Sequence, residues 1–290
     1  VRSILYFPWP WPTGMGMAYL MEGQGQGKYS IDLTNMPDDI SGLVASGNVD
    51  IAAVPVNMAS ALYNRLDGGV RIIAVNTLGV MYVLENGNAI NSLEDLRGGT
   101  LYATGQAATP QYILDYLLEK NGLSGDVTVE YYQDHAELSA LLASGRVSVG
   151  MLPEPNVTAT LMSNADIRVA LDITELWRGA CQTELVQGCI IVRKEFLEKH
   201  KRDVDRFLKD YASSVEKVNA NPAEASEIIA RHGIMANGAA AERAIPNCNI
   251  VCYTGDEMRD SARGMLEVLF QMEPKSIGGA MPPSDFYYVP

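Results

Sequence analysis

The sequence is poor in positive charge, and this shortage argues against one broad class of partner. The 290 residues include 22 Lys and Arg against 35 Asp and Glu, which gives a formal net charge of −13. A nucleic-acid-binding protein needs a basic surface that neutralises phosphates. We therefore expect no nucleic-acid partner, and the same charge balance provides no polybasic patch for anionic lipid.

Long hydrophobic runs and the common catalytic motifs are also missing. No apolar stretch approaches the ~20 residues that a membrane-spanning helix needs. The sequence contains no GxSxG, HExxH or GxxxxGK[ST] motif. Its three histidines, His135, His200 and His232, fall in predicted helices or at their ends, where surface positions are expected. We accordingly expect a protein that is not an enzyme and that carries no cofactor.

Cysteine is scarce, with four residues in two local pairs. Cys181 lies near Cys189, and Cys248 lies near Cys252. No histidine stands beside either pair, so we expect structural disulfides or buried thiols rather than a zinc site. The sequence leaves open whether the pairs are oxidised.

An internal repeat is the most informative feature that the chain does contain. Residues 43–55 read LVASGNVDIAAVP, and residues 141–153 read LLASGRVSVGMLP, at an offset of 98. The same offset aligns residues 29–35 with residues 127–133. A supersecondary unit that is used twice predicts two similar lobes rather than a solenoid, with a ligand cleft between them.

The order of the predicted elements gives the fold class. Each half reads β-α-β-α-β with short loops, which is typical of doubly wound parallel sheets in α/β proteins. We predict two doubly wound α/β lobes joined by a two-strand hinge: residues 1–78 and 187–290 form lobe 1, and residues 79–186 form lobe 2. The last hundred residues read almost entirely as helix, and we expect these helices to pack on lobe 1. A hinge of two chain crossings permits closure around a ligand.

Ligands of open α/β sheets bind beyond the carboxyl ends of the strands, which selects five loops here. These are residues 8–16, 55–58, 76–79, 104–111 and 153–156. Thr13 and Thr109 are predicted N-caps, so free backbone N–H groups beside them would attract a carboxylate, sulfonate or phosphate. None of the five loops contains Lys or Arg. This favours a neutral, zwitterionic or aromatic ligand.

Several of these loop residues have two interpretations. Trp9 and Trp11 stand between prolines in a stiff loop, where an indole could stack on a ligand ring or pack against the C-terminal helices. Glu154 could accept hydrogen bonds from a ligand amine or remain a solvated loop charge. Met15 is retained as a candidate contact, although its helical spacing with Met17 and Met21 favours a core position.

Four segments stand in the order found in one known family. They are residues 45–55 (ASGNVDIAAVP), 92–105 (SLEDLRGGTLYATG), 140–159 (ALLASGRVSVGMLPEPNVTA) and 192–200 (VRKEFLEKH). Together they resemble the substrate-binding proteins of ABC importers with the type II periplasmic-binding fold, and most of all the nitrate/sulfonate/taurine/thiamine-precursor family. The PWPWP loop and Ser148, where an Asp is common, depart from that family and leave the ligand open.

The resemblance implies an extracytoplasmic receptor, periplasmic or lipid-anchored, that closes over one small molecule and docks on an ABC permease in the membrane. We expect a monomer, and we expect its targeting segment to be absent from this chain. The family's ligand-contacting positions fall here on Thr13, Gly14, Asn57, Thr77, Thr104, Gln106, Thr109 and Glu154. An alternative is an enzyme on the same fold that acts on a small aromatic or pyrimidine-type metabolite, which would need a perturbed His, Cys or carboxylate in the cleft. A sensor module that binds a solute and signals to a partner is the third alternative.

Overall fold

A computed structural model describes residues 2–6, 12–24, 27–33, 37–181 and 183–290. The chain forms two compact units: unit 1 comprises Val1–Leu78 and Val186–Pro290, and unit 2 comprises Gly79–Leu185. Both units combine helices with one sheet, so the predicted α/β fold class is confirmed. None of the helices in the described ranges is long and apolar enough to cross a membrane.

The strands and helices follow one another along the chain with short connections. The strands are β1 Arg2–Tyr6, β2 Tyr29–Leu33, β3 Ile51–Pro55, β4 Val70–Leu78, β5 Met81–Asn86, β6 Thr100–Thr104, β7 Thr128–Tyr132, β8 Val149–Pro153, β9 Ile167–Asp172, β10 Val186–Arg193 and β11 Ile250–Tyr253. The α-helices are α1 Pro37–Ala45, α2 Val56–Arg65, α3 Thr109–Lys120, α4 His135–Ala143, α5 Asn156–Ser163, α6 Ile173–Cys181, α7 Lys194–Ala220, α8 Pro222–Arg231, α9 Gly238–Ala244 and α10 Gly255–Met272.

The two sheets share one strand order. In unit 1 the order is β2-β1-β3-β10-β4-β11, and in unit 2 it is β7-β6-β8-β5-β9. The first three strands of each series are parallel where they pair, whereas β10 and β5 run antiparallel to their neighbours. The parallel strands agree with the doubly wound pattern predicted from the sequence. Strands β5 and β10 stand beside the unit boundaries in the chain, and each inserts in the reverse direction.

The 98-residue offset of the sequence repeat also separates equivalent elements. Helix α1 begins at Pro37 and α4 at His135, while β3 begins at Ile51 and β8 at Val149. Strands β1 and β6 begin at Arg2 and Thr100, again 98 residues apart. Equivalent positions in the two units can therefore be compared residue by residue.

Three elements differ from the sequence prediction. The helical spacing of Met15, Met17 and Met21 predicts one helix over residues 14–22, but the chain forms a 3-10 helix over Pro12–Met17 and a π-helical turn over Leu20–Gln24. Helix α6 was not predicted: it follows β9 without a loop, and its start is fixed because Asp172 Oδ1 accepts from the backbone N–H of Thr174 at 2.8 Å. The short edge strand β11 was not predicted: it lies between two predicted helices of the C-terminal region and pairs with β4.

The C-terminal residues close over α2 in unit 1. Ser60 Oγ donates to the Ile277 carbonyl at 2.9 Å, and the Asp285 carboxylate accepts from Tyr63 Oη at 2.6 Å and from Arg71 Nη2 at 2.7 Å. Gly278 has a φ of +92°, and a Cβ there would come within 2.8 Å of Ala61 Cα. The tail thus fits against α2 only with glycine at this turn.

Each unit has its own hydrophobic core. In unit 1 the long helix α7 contributes Phe207 and Tyr211, which are fully buried with Met15 and Met17. In unit 2 the core includes Leu84, Leu138, Leu142 and Leu152. Burying such side chains stabilises each unit by about 1.5–3 kcal/mol per large residue.

Candidate functional site

In unit 1, the predicted contact residues Thr13, Gly14 and Met15 lie in the buried 3-10 helix Pro12–Met17, ahead of the π-helical turn. Thr13 is the second residue of this helix rather than the predicted N-cap. Its carbonyl oxygen accepts from Asn76 Nδ2 at 3.1 Å. Met15 is 3% exposed and belongs to the core, which agrees with its helical spacing in the sequence.

Two glycines bring this 3-10 helix close to its neighbours. A Cβ on Gly16 would lie 2.4 Å from Tyr211 Oη. A Cβ on Gly188, in β10, would lie 2.5 Å from both Asn76 Oδ1 and Thr13 Cγ2. The 3-10 helix therefore lies very close to β4, β10 and α7. Only glycine fits at positions 16 and 188 without a shift of these neighbours.

Unpaired polar atoms collect at the same point of unit 1. Asn76 Oδ1 and Thr77 Oγ1 are buried and have no hydrogen-bond partner in the part of the chain that the structure describes, and the buried Tyr211 Oη lies beside Asn76. Burial raises the pKa of Tyr211 well above its usual value, so the phenol stays neutral. Such groups are rare in native proteins because each leaves a desolvation penalty uncompensated. The predicted contact residue Thr77 is one of them.

Asn57, at the start of α2, already has a partner within unit 1. Its Nδ2 donates to the Ser276 carbonyl at 3.3 Å, so the side chain helps to hold the C-terminal tail. Trp9 and Trp11 lie outside the described residues, and their predicted contacts stay a prediction.

In unit 2, the loop that follows β6 starts helix α3 one residue away from the predicted position. Ala108 occupies the N-cap, Thr109 is the first helical residue, and no side chain caps the helix. The N-cap assignment of Thr109 is wrong because Pro110 at the second helical position fixes the register with Thr109 already helical. Gln106 is exposed, and Ala107 has a φ of +57° at the turn.

Thr104 ends β6 and bonds to a histidine that the sequence analysis did not select. Its Oγ1 lies 2.6 Å from Nδ1 of His135, the first residue of α4. Burial lowers the pKa of His135, and Asp134 partly opposes this shift. His135 belongs to a sixth strand-end loop, between β7 and α4, and the rule that selected the other five would have selected it too. His135 was not predicted as a contact because all three histidines were expected to lie on the surface.

Glu154 is fully buried at the end of β8, so its interpretation as a solvated loop charge is wrong. Its two carboxylate oxygens accept from the backbone N–H and from Oγ1 of Thr158, at 3.0 and 2.9 Å. A carboxylate over the first turn of α5 also interacts favourably with the helix dipole. Glu154 thereby fixes the start of that helix.

Among the described residues, the cysteines and the carboxylates form neither a reactive thiol site nor a metal site. Each of the four cysteines lies within the described residues and carries a free thiol. Burial raises the pKa of the Cys189 thiol, and the pKa of the Cys252 thiol is raised to about 12 for the same reason. Both are therefore protonated and unreactive at neutral pH. Among the described residues, no group of His, Cys, Asp and Glu has the arrangement of a metal site.

Several solved structures superpose on nearly the whole of this chain. An ABC transporter from Parabacteroides distasonis superposes with a TM-score of 0.84 at 23% identity, covering 99% of this chain and 98% of its own. The periplasmic aliphatic sulphonate binding protein SsuA from Escherichia coli gives a TM-score of 0.78 at 14% identity, with 100% and 92% covered. The periplasmic nitrate-binding protein NrtA from Synechocystis PCC 6803 gives 0.62 at 12% identity, with 98% and 83% covered.

Sequence comparison places the chain in one family. No curated protein matches it. The family model described as NMT1/THI5 like matches residues 30–225, which is well over half of the chain. The order of strands in both units, the repeat and this match agree, and the chain belongs to the NMT1/THI5-like family.

Proposed function

We propose that this protein is an extracytoplasmic solute-binding receptor of an ABC importer. Units 1 and 2 would be the two lobes, which close over one small organic solute and deliver it to a membrane permease. The receptor would act as a monomer. The candidate solutes are sulfonates, pyrimidine or thiamine precursors, and other aromatic or zwitterionic small molecules.

The observation that carries this proposal is the placement of polar groups in two sheets that share the order of five strands. In unit 1 the unpaired Thr77 is the last residue but one of β4, and in unit 2 Thr104 ends β6 beside His135. Both positions lie towards the carboxyl ends of strands, where α/β sheets bind ligands. Transport neighbours such as the sulphonate-binding and nitrate-binding proteins support a receptor role by their fold.

The enzyme alternative would need a titratable group with a perturbed pKa near the bound molecule. His135 is such a group, since burial lowers its pKa. A single neutral imidazole beside a threonine is nevertheless incomplete as an acid–base or nucleophilic apparatus. We therefore favour binding without chemistry, and the test below includes a measurement of turnover.

A thermal-shift screen tests the proposed function. Protein that has been unfolded, dialysed and refolded to remove any carried solute would be heated with sulfonates, nitrate, amino acids, pyrimidines, flavins and aromatic acids. A solute at 100 times its dissociation constant stabilises the folded state by about 2.7 kcal/mol. We expect one class to raise the melting temperature and to be recovered unchanged. A panel without any shift, or a compound that is converted, would contradict the receptor.

Thr77→Val separates a ligand contact from a structural role in the same assay. Valine has nearly the shape of threonine, and removing a buried hydroxyl without a partner leaves stability unchanged or improves it. We expect an unliganded melting temperature at or above that of the wild type and a smaller solute-induced shift. Thr174→Val is the matched control, because Thr174 Oγ1 is also buried and unpaired within the described residues but is not a predicted contact.

A further inference from the structure

Strands β6 and β7 bring two loops of unit 2 to the same edge of its sheet. The strands are parallel neighbours, and Thr104 pairs with Tyr132 at their last residues. The chain then enters α3 at Thr109 and α4 at His135. The 2.6 Å bond between Thr104 Oγ1 and His135 Nδ1 joins these two loops. Thr104 is 2% exposed, and the histidine is half-buried.

The surroundings of His135 favour an uncharged ring. Burial lowers its pKa, and the positive end of the α4 dipole also disfavours an imidazolium at the first helical position. A neutral imidazole has one donor nitrogen and one acceptor nitrogen. The Thr104 hydroxyl can either donate to Nδ1 or accept from it. We take the hydroxyl as the donor, which places the ring proton on Nε2. In the described part of the chain, Nε2 has no hydrogen-bond partner.

Few charged groups stand near enough to change the protonation of His135. Helix α4 packs on α5, β6, β7 and β8, and β6, β8 and α5 carry no charged residue. The acidic and phenolic groups on α4, its cap and the packed strands are Asp134, Glu137, Glu130, Tyr102, Tyr131 and Tyr132. The Asp134 carboxylate is engaged as the N-cap, accepting from the backbone N–H of Ala136 at 2.6 Å. Burial raises the pKa of Tyr131, so this phenol remains neutral.

We infer that His135 is a specificity-determining residue of the solute site, presenting its Nε2–H to an acceptor atom of the bound solute, with Thr104 as the positioning residue that fixes the ring and its tautomer. This inference rests on the proposed receptor function. The strand-end loops of unit 2 lack Lys and Arg. His135 would therefore supply these loops with a hydrogen-bond donor that can also gain a positive charge. Thr104 would then act through the histidine rather than by a direct contact.

With His135 in this role, the pH dependence of binding distinguishes an anionic solute from a neutral one. An anionic acceptor favours the imidazolium, so its affinity rises as the pH falls towards the lowered pKa of His135 in the free protein. A neutral acceptor gains no such attraction, so its affinity stays level or falls over the same range. His135→Gln retains an N–H donor at a similar distance but cannot titrate, so it should remove the pH dependence and keep most of the affinity at neutral pH.

Imidazole NMR of the full chain tests the inference directly. The chain has three histidines, so long-range ¹H–¹⁵N spectra of ¹⁵N-histidine-labelled protein can be assigned with His135→Gln and His200→Gln. The probes are methanesulfonate, nitrate, taurine and cytosine. We expect the Nε2–H tautomer at His135 in the free protein and a change in its signals, but not in those of His200, with each probe that binds. Thr104→Val should shift the tautomer balance, whereas Thr104→Ser should retain it.

Affinity measurements complete the test. His135→Leu should weaken the binding of a responding probe by about fivefold, the effect of losing one hydrogen bond. His200→Gln, an exposed change on α7, should bind like the wild type. A probe that raises the melting temperature but leaves the His135 signals and its Leu variant's affinity unchanged would overturn the inference and leave the receptor function intact. A panel in which no probe binds would count against the receptor function, and the inference would fall with it.

Discussion

Helices α1 and α4 begin at equivalent positions of the repeat, but with different chemistry. Unit 1 has Pro37 where unit 2 has His135, and it has Val56 where unit 2 has Glu154. Each pair is 98 residues apart in two sheets of the same strand order. The shared residues are those that build strands and turns, such as Pro55 and Pro153. The comparison indicates that the repeat preserves the scaffold, while the two units hold different polar groups at their strand ends.

The units also differ in how those polar groups are satisfied. In unit 2, Thr104 bonds to His135 and Glu154 bonds to Thr158. In unit 1, the oxygens of Asn76 and Thr77 are buried without a partner among the described residues. We interpret unit 2 as the unit whose strand-end side chains are held by bonds to one another, in contrast to these unpaired oxygens of unit 1. Four predictions, each tested by substitution, can break or sharpen this contrast.

The largest expected effect is that of Glu154→Ala. It removes both acceptors of Thr158 from a fully buried position, and hydrogen bonds to a charged group are worth about 1.5–3 kcal/mol each. We expect the free energy of unfolding to fall by about 3 kcal/mol in urea titrations. Glu154→Gln, which keeps an acceptor oxygen, should lose less. Equal losses in the two variants would show that the carboxylate does not hold the start of α5.

Gly188→Ala tests the close packing around the unpaired atoms of unit 1. The new Cβ would meet Asn76 Oδ1 and Thr13 Cγ2 at 2.5 Å, and overpacking of this kind costs about 1–3 kcal/mol. We expect a loss of about 2 kcal/mol by the same titration. The control is Gly179→Ala in α6, where a Cβ meets no atom within 4 Å. A Gly188→Ala variant as stable as this control would contradict the close approach of β4, β10 and the 3-10 helix.

Gly42→Ala and Ala140→Gly exchange the residues at one equivalent position of the repeat. Both lie inside helices, α1 and α4, and a Cβ on Gly42 meets no atom within 4 Å. Glycine in a helix is about 1 kcal/mol less favourable than alanine. We expect Gly42→Ala to raise the free energy of unfolding by about that amount and Ala140→Gly to lower it similarly. Changes of the same sign would mean that the two helices are not equivalent in their surroundings.

The smallest expected effect is the pH response contributed by His135. Its folded-state pKa is lowered by burial, so protons bind more readily to the unfolded chain. Stability is therefore fully present above about pH 6.5, the ordinary value, and is lost as the pH falls from there towards the folded-state pKa. Melting curves at pH 7.5 and 5.5 should show a smaller difference for His135→Gln than for the wild type. An identical difference would mean that the imidazole is not held neutral.

The sequence was informative about the scaffold because its signals are local and repeated. Apolar runs such as residues 49–54 and the 98-residue offset predicted equivalent strands, and the structure has β3 and β8 at that spacing. The antiparallel insertion of β5 and β10 could not be predicted in this way, because strand direction depends on long-range pairing. Helix α6 was missed because its cap, Asp172, is also the last residue of β9.

The candidate site was harder to predict, because burial and partners are tertiary properties. Glu154 between two prolines has the sequence of an exposed turn, yet it is fully buried and bonded to Thr158. His135 gave no signal apart from its place after β7, and its importance comes from Thr104, 31 residues away. The contacts predicted for Gly14, Gln106 and the other loop residues with a solute stay predictions.

The central proposal is that Thr77 and His135 both contribute to the binding of one solute, and titration calorimetry tests it most directly. The tightest-binding compound of the thermal-shift panel would be titrated into the wild type, into Thr77→Val from unit 1 and into His135→Leu from unit 2. The account predicts one solute per chain and weaker binding in both variants, each by about fivefold. Two solutes per chain, or weaker binding in only one of the two variants, would contradict a shared site.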